Sequence, residues 1–315
     1  MSSQALTPEA LAARSARAVD IAARTGRELG LDVRDPKQLH DAFSVVVDLA
    51  PAPVVARMPV VLPPSFSRED ELQRQQRELD AVAWLDHSGL PVVRPSPLVP
   101  RVPVLRDGLS MTFWEKVEVS REGEPDYVAQ AALVVELHAA LSGYTAPLPF
   151  LSPVMISIPQ GLAALAQQPA LIDAADLARA EHEWRVLGPV LSSREGFLAR
   201  FPHAQIQPVH GDAPSYNLIR TPNGPVHADF EDVTLGPREW DLAGFGPESQ
   251  ASYNAAAARA GRPLLDPQVQ QVMDCARLLQ TVACLALVPQ LPLLASGLAP
   301  SLEMWRASPL AGGLG

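Results

Sequence analysis

Lysine is almost missing from this chain. Of 25 basic residues only Lys37 and Lys116 are lysines, and the rest are arginines. The basic side chains are not clustered and the net charge is −10. Nucleic-acid binding needs grouped cations to neutralise phosphates, so this balance argues against a nucleic-acid partner. Cysteine is equally scarce. Cys275 and Cys284 stand nine residues apart on one apolar stretch. On a helix that spacing puts them about 13–14 Å apart along the axis, too far for a disulfide. Two small buried thiols in a reducing compartment are the simpler reading.

No long uninterrupted hydrophobic run occurs either. The most apolar stretch, 281–300, is broken by Pro289, Gln290 and Pro292. A spanning helix needs about 20 apolar residues without such breaks, so a core helix followed by a loop is expected. The first nine residues are polar and lack the apolar region of a secretion signal. The expectation is a cytoplasmic protein with no membrane partner.

What the chain has in excess is proline, 32 residues, against an average share of ~5%. The prolines concentrate at 51–64, 91–103 and 147–159, each flanked by periodic apolar segments, and read as connections. With 315 residues and 47% hydrophobic content, the chain can fill one large domain or two lobes, each with its own core.

The periodicities predict an order of elements. An opening helix is capped by Thr7, with Pro8 at its first position and Gly30 at its end. Two β-branched runs, 43–49 and 54–61, are joined by Ala50-Pro51-Ala52-Pro53 as a hairpin. A helix over 68–87 carries Leu72, Leu79, Val82 and Leu85 on one face, and strands follow near 97–104 and 109–116. From about 126 the pattern turns helical, with strongly apolar stretches at 127–141, 171–191 and 269–288. Inside this helical region lies an island, 207–245, of short strand-like pieces around the turn Pro222-Asn223-Gly224. A loop-rich island with polar residues between apolar flanks is where chemistry is expected.

The island holds Val-His-Gly-Asp-Ala-Pro-Ser-Tyr-Asn, in which Asn217 follows Asp212 by five residues, and then Val-His-Ala-Asp-Phe-Glu-Asp, with Asp229 twelve residues further on. An H-x-D-x-x-x-x-N loop, a hairpin-length gap and D-F make the layout of a kinase catalytic loop with its metal-binding Asp. The loop turns Asp and Asn into one cleft, and the hairpin brings the second Asp to its opposite side. An Asp beside an attacking hydroxyl can orient it and take its proton, and Asn and Asp oxygens suit Mg²⁺ bridging nucleotide phosphates. A metallohydrolase using His210 and Asp212 would need further ligands at good spacing, and none presents itself. His203 and His227 read as loop and strand residues.

Together with LGPREWDLAGF at 235–245, these motifs resemble the aminoglycoside phosphotransferase and choline kinase-like branch of the protein-kinase-like superfamily. The resemblance implies an α+β, two-lobed kinase-like fold: a small antiparallel β-sheet lobe and a larger, mainly helical one. The corresponding segments are 1–30 (a helix on the small lobe), 31–116 (nucleotide binding) and 117–315 (catalysis and substrate binding). It implies an ATP-dependent kinase, with GTP as an alternative donor, acting on a hydroxyl of an aminoglycoside, sugar, amino alcohol or other antibiotic or metabolite. Asp212 takes the role of the base, and Asn217 and Asp229 those of Mg²⁺ ligands. His210 and Asp241 brace the catalytic loop, and His138 becomes a satisfied core histidine behind it.

In the small lobe, Arg57 stands where kinases carry the phosphate-contacting strand Lys, and Glu78 where its helix partner belongs. A guanidinium can hold phosphates bidentately and pair with a carboxylate. No Gly-rich loop is present, and Ser44 in the first hairpin is the candidate phosphate contact. Residues 112–116, with Glu115, form the expected adenine-binding hinge. The acids available for a cationic acceptor are Glu231, Asp232, Glu248, Asp274, Asp173 and Asp176. The missing strand Lys and glycines keep a second reading open, a pseudokinase that binds nucleotide without transfer.

Overall fold

The structure is a computed structural model, and it describes residues 5–63, 66–120 and 123–314. Met1–Gln4 of the expected N-terminal unit, Gly315, and Pro64 of the first proline cluster lie outside the described residues.

Helix α1, Pro8–Glu28, starts where Thr7 accepts a hydrogen bond from the N–H of Ala10 and places Ala18, Ile21 and Ala22 inward. It packs on a five-stranded antiparallel sheet formed by β1 (Val33–Asp41), β2 (Ser44–Pro51), β3 (Val54–Pro59), β4 (Val104–Arg106) and β5 (Leu109–Glu115), in the order β1-β2-β3-β5-β4. Val45, Val47, Leu49, Val54, Ala56, Met58, Met111 and Phe113 fill the space between helix and sheet. α2, Arg68–His87, opens with a reciprocal cap between Ser67 and Asp70. Its apolar face, Leu79, Val82 and Leu85, packs on Trp114, Leu137, Leu141 and Phe230 and so joins the small lobe to the large one.

The large lobe is mainly helical. α3 (Tyr127–Ala131) and α4 (Val134–Leu141) lead to α5 (Ser152–Leu165), α6 (Ala174–Leu191) and α7 (Arg194–Arg200). The island follows as two small antiparallel pairs. β6 (Ile206–Val209) pairs with β9 (Thr234–Pro237), and between them β7 (Leu218–Thr221) and β8 (Gly224–His227) form a hairpin. The chain then runs through a 3₁₀ turn at Arg238–Leu242, α8 (Gly246–Arg259), α9 (Pro267–Ala283), α10 (Leu294–Gly297) and α11 (Ala299–Ala307). A second core forms around α5, α6 and α9, with Phe197, Trp240 and Trp305 fully buried in it. The fold is therefore α+β and two-lobed, as expected. Among the described residues no helix is long and apolar enough to cross a membrane.

Several local expectations need correction. β1 was not anticipated, because its residues are mostly exposed and Pro36 lies inside it. An edge position explains both, since one side of an edge strand needs no ladder donors. The strand expected at 97–104 is turn structure over most of its length, and only Val104 enters β4. Pro97, Pro100 and Pro103 remove the donors a ladder would need. The third proline cluster, read as a connection, contains α5. Pro153 occupies the first turn, where no N–H is required, and Pro159 is accommodated within the helix. The stretch 127–141 is split into α3 and α4, and α9 ends at Ala283 in a 3₁₀ turn over Cys284–Leu287.

α5 and α9 approach so closely that a Cβ built on Gly161 would lie 2.5 Å from the carbonyl oxygen of Ala283. One methyl group there must push apart two helices of the main core. Gly161→Ala is expected to lower stability by about 1–3 kcal/mol, measured by chemical denaturation with an unchanged m-value.

Candidate active site

The catalytic loop is held from below by one carboxylate. Asp241 is fully buried; its Oδ2 accepts from the N–H of His210 and its Oδ1 from that of Gly211, both at 2.8 Å. His138 Nε2 lies 3.0 Å from the same Oδ2, and its Nδ1 lies 2.9 Å from the Tyr253 hydroxyl. Burial alone would raise the carboxyl's pKa. The His138 hydrogen bond and charge, His210 and the Gly211 N–H outweigh it and hold Asp241 below the usual range. His210 faces the opposite side of the loop, with Nε2 3.0 Å from the carbonyl oxygen of Ala228. It thus ties the loop to the residue before Asp229. Glycine is required at 211 because φ is +89° and a Cβ would fall 1.8 Å from the Asp232 carbonyl oxygen.

With the loop so fixed, the expected residues converge. Asn217 Nδ2 donates to Asp212 Oδ2 at 3.4 Å, a long contact that puts the two side chains side by side. Asp229 sits just beyond the β7–β8 hairpin at φ +63°, a left-handed conformation that a non-glycine residue adopts only at some cost. From the small lobe, Arg57 on β3 crosses to it. Its Nη1 pairs with both oxygens of Glu78 at 3.0 Å, and its Nη2 lies 2.7 Å from Asp229 Oδ1 and 2.5 Å from Glu231 Oε2. Glu78 is the member of this group deepest in the protein. Burial pushes its pKa up to about 8 against the pull of Arg57, helped by the nearby Asp229 and Glu231. Burial likewise raises Asp229 to about 6, with Arg57 opposing and Glu231 and Asp212 adding to it.

Ser44 lines the same cleft, a cavity of about 570 Å³ between the sheet and the helical lobe that also includes Arg57, Asp212 and Asp229. Glu115 is not brought there. Its carboxylate pairs with Arg94 Nε at 2.8 Å, and its N–H donates to the Arg94 carbonyl. The neighbouring Lys116 N–H is also used, by the Pro53 carbonyl. His227 is a buried strand residue whose burial pushes its imidazole down to about 3, so it is neutral.

The sequence did not reveal three contributors. Arg277, the single basic residue of α9, has Nη1 3.3 Å from Asp212 Oδ1 and 2.9 Å from Gln280 Oε1. Its guanidinium lies 3.8 Å from the centroid of the Trp240 ring, and the Trp240 indole N–H donates to the Gly211 carbonyl at 2.7 Å. Arg74 on α2 pairs with Asp232 at 2.6 Å and with Glu231 at 3.3 Å. One signal was available: an arginine set into a strongly apolar helical stretch must find a partner.

Among the described residues no three His, Cys, Asp or Glu side chains form an all-protein metal cage. Asp229 offers a hard oxygen ligand in the cavity, and Asn217, with its amide nitrogen turned to Asp212, supplies a second oxygen nearby in the chain. That suits Mg²⁺, which is commonly bound through one or two carboxylates together with substrate phosphates.

The model of the phosphotransferase enzyme family designated APH matches residues 45–279. The chain belongs to this family. No curated protein matches the phosphotransferase significantly. Its fold is shared with a microcompartment-associated aminopropanol kinase, at 18% identity over 93% of this chain and 98% of that one, with a TM-score of 0.59. Choline kinase from Streptococcus pneumoniae aligns at 15% identity over 92% and 99% of the two chains, with a TM-score of 0.61. The GDP and kanamycin complex of APH(2")-IIia aligns at 13% over 91% and 97%, with a TM-score of 0.58. At such identities the likeness establishes a kinase-like fold for the phosphotransferase.

The anchor of the loop makes a direct prediction. Asp241→Asn places an amide where two backbone N–H groups and His138 need an acceptor. The loss is expected to be about 3 kcal/mol of stability, read by chemical denaturation, with His138→Ala additive to it by much less than its own single effect.

Proposed function

We propose that the chain transfers the γ-phosphoryl group of ATP to a hydroxyl of a small molecule, with Mg²⁺ held by Asn217 and Asp229. GTP is the alternative donor, since the structure of APH(2")-IIia carries GDP. The reading rests above all on the convergence of Arg57, Asp212 and Asp229 on one cavity, with Asn217 beside Asp212 and Glu78 behind Arg57.

Each residue has a task. Asp212 accepts a hydrogen bond from the acceptor hydroxyl, orients its oxygen toward the γ-phosphorus and takes its proton. The new O–P bond forms as the bond from phosphorus to the nucleoside diphosphate oxygen breaks. Arg57, held by Glu78 through Nη1, contacts the donor's phosphates through Nη2 in place of a strand Lys. Bound Mg²⁺ supplies charge neutralisation on the transferring phosphates. Ser44, on the sheet side of the cavity, is a further phosphate contact. Glu115, with its carboxylate engaged by Arg94 and outside the cavity lining, has no part in this scheme. The surroundings are cytoplasmic, as the paucity of cysteine suggests.

In a loose transition state the base chiefly orients the nucleophile. Asp212→Asn is expected to lower kcat by about 10²–10⁴-fold with nucleotide affinity little changed, measured by steady-state turnover and calorimetry. Near wild-type kcat in this variant contradicts the mechanism, and ATP binding with no turnover in the wild-type chain favours a pseudokinase. Arg57→Ala is expected to raise the KM for ATP and lower kcat, and Arg57→Lys to recover part of the loss. Unchanged kinetics in Arg57→Ala would put the phosphate contact elsewhere.

A further inference from the structure

The same cavity also has an apolar side, whose chemistry differs from that around Arg57 and Asp212. This wall is built by Ile156 of α5, Leu278 of α9, Leu287, Leu294 of α10, and Leu298 and Met304 at and within α11. Phe43, Tyr216 and Met304 line the cavity although each is exposed. Large apolar side chains left open around a concave site mark a ligand surface.

Acidic groups are missing from this wall. The acids lining the whole cavity, among the described residues, are Asp212, Asp229, Glu231 and Asp232. Glu231 is already paired with Arg57 and Arg74, and Asp232 with Arg74. The other acids suited to a cationic acceptor are engaged elsewhere or do not line the cavity. Asp274 accepts from the Gly244 N–H and from Gln250 and Gln270, and Asp173 and Asp176 pair with Arg306. Glu248 is absent from the lining. The fixed charge that does stand beside the base is positive: Arg277, clamped between the Trp240 ring, Gln280 and Asp212. An acceptor with several ammonium groups would set them on hydrocarbon and next to a guanidinium, with hydroxyl and amide groups but no carboxylate beyond those of the reaction centre to replace their water.

We propose that the acceptor is a neutral, predominantly apolar alcohol and that polycationic aminoglycosides are excluded by the Arg277 charge and the acid-free wall. This rests on the phosphotransfer reading above and specifies the acceptor class of that same site. The reaction is unchanged: the alcohol oxygen gains the phosphoryl group, its proton passes to Asp212, and the nucleoside diphosphate leaves.

The test compares the purified full chain with Mg²⁺ and ATP against kanamycin and against a set of neutral apolar alcohols: decanediol, borneol and a hydroxylated macrolactone. Phosphorylated product and diphosphate release are both measured. The expected result is a kcat/KM for at least one neutral alcohol on the order of 10²-fold or more above that for kanamycin, the scale of specificity that an unfavourable pocket produces. In Leu298→Glu and Met304→Glu the KM for that alcohol should rise tenfold or more while the KM for ATP is unchanged. Kanamycin preferred over every neutral alcohol, no turnover of the whole neutral set, or an unmoved KM in both folded variants overturns the proposal. Phosphorylation of kanamycin, or acceptor-independent ATP hydrolysis that disappears in Asp212→Asn, leaves the phosphotransfer reading standing through such a failure, and the absence of both removes that reading too.

Discussion

The Arg57 guanidinium is shared among three carboxylates from two separate parts of the chain, and much of the site's geometry follows from satisfying it. Glu78 comes from α2, and Asp229 and Glu231 from the segment beyond the β7–β8 hairpin. One close pair is worth about 4 kcal/mol of attraction at an effective dielectric of ~20, while withdrawing each ion from water costs several kcal/mol. The cluster is therefore better understood as a device of position than as a source of stability. It sets the β-sheet against the helical lobe and points a cation at the place where Asp229 meets the cleft. Arginine does this better than lysine because its planar fork can hold Glu78 with one nitrogen and reach across the cleft with another.

A second constraint supports the first from below. Asp241, His138, Tyr253 and the backbone of His210 and Gly211 form a buried network in which the carboxylate oxygens, the ring nitrogens and the hydroxyl are all engaged. Trp240 adds the Gly211 carbonyl and supports the Arg277 ring contact. The loop that presents Asp212 is thus fixed by groups that need not touch any substrate. What remains exposed in the cleft is the set with chemical work to do.

Most of this could be read from the sequence, for a physical reason. The spacing from Asp212 to Asn217 to Asp229 is a local property of one loop and one hairpin, so it is written contiguously in the chain. Arg57 and Glu78 were legible through the family resemblance, which places them where kinases carry the strand Lys and its helix partner. Arg277 was not, since it reaches Asp212 from α9, 65 residues away, and no local pattern reports such a contact. The same holds for the fold. α1 followed from its cap, α2 from the helical spacing of its apolar residues and the hairpin of β2 and β3 from β-branched runs, whereas β1 and α5 were hidden by prolines whose positions, at a sheet edge and in a first helical turn, make them tolerable. The hinge assignment of Glu115 came from its place at the end of β5, and only the folded chain shows its carboxylate turned to Arg94.

The central claim is a division of labour: Asp229 serves the metal–nucleotide complex and Asp212 the acceptor. Titrating nucleotide into Asp229→Asn and Asp212→Asn by calorimetry, with and without Mg²⁺, separates the two. The account predicts that Mg²⁺ strengthens nucleotide binding in the wild type and in Asp212→Asn, and that this enhancement is lost in Asp229→Asn. Retention of the Mg²⁺ effect in Asp229→Asn, with its loss in Asp212→Asn, would contradict the account.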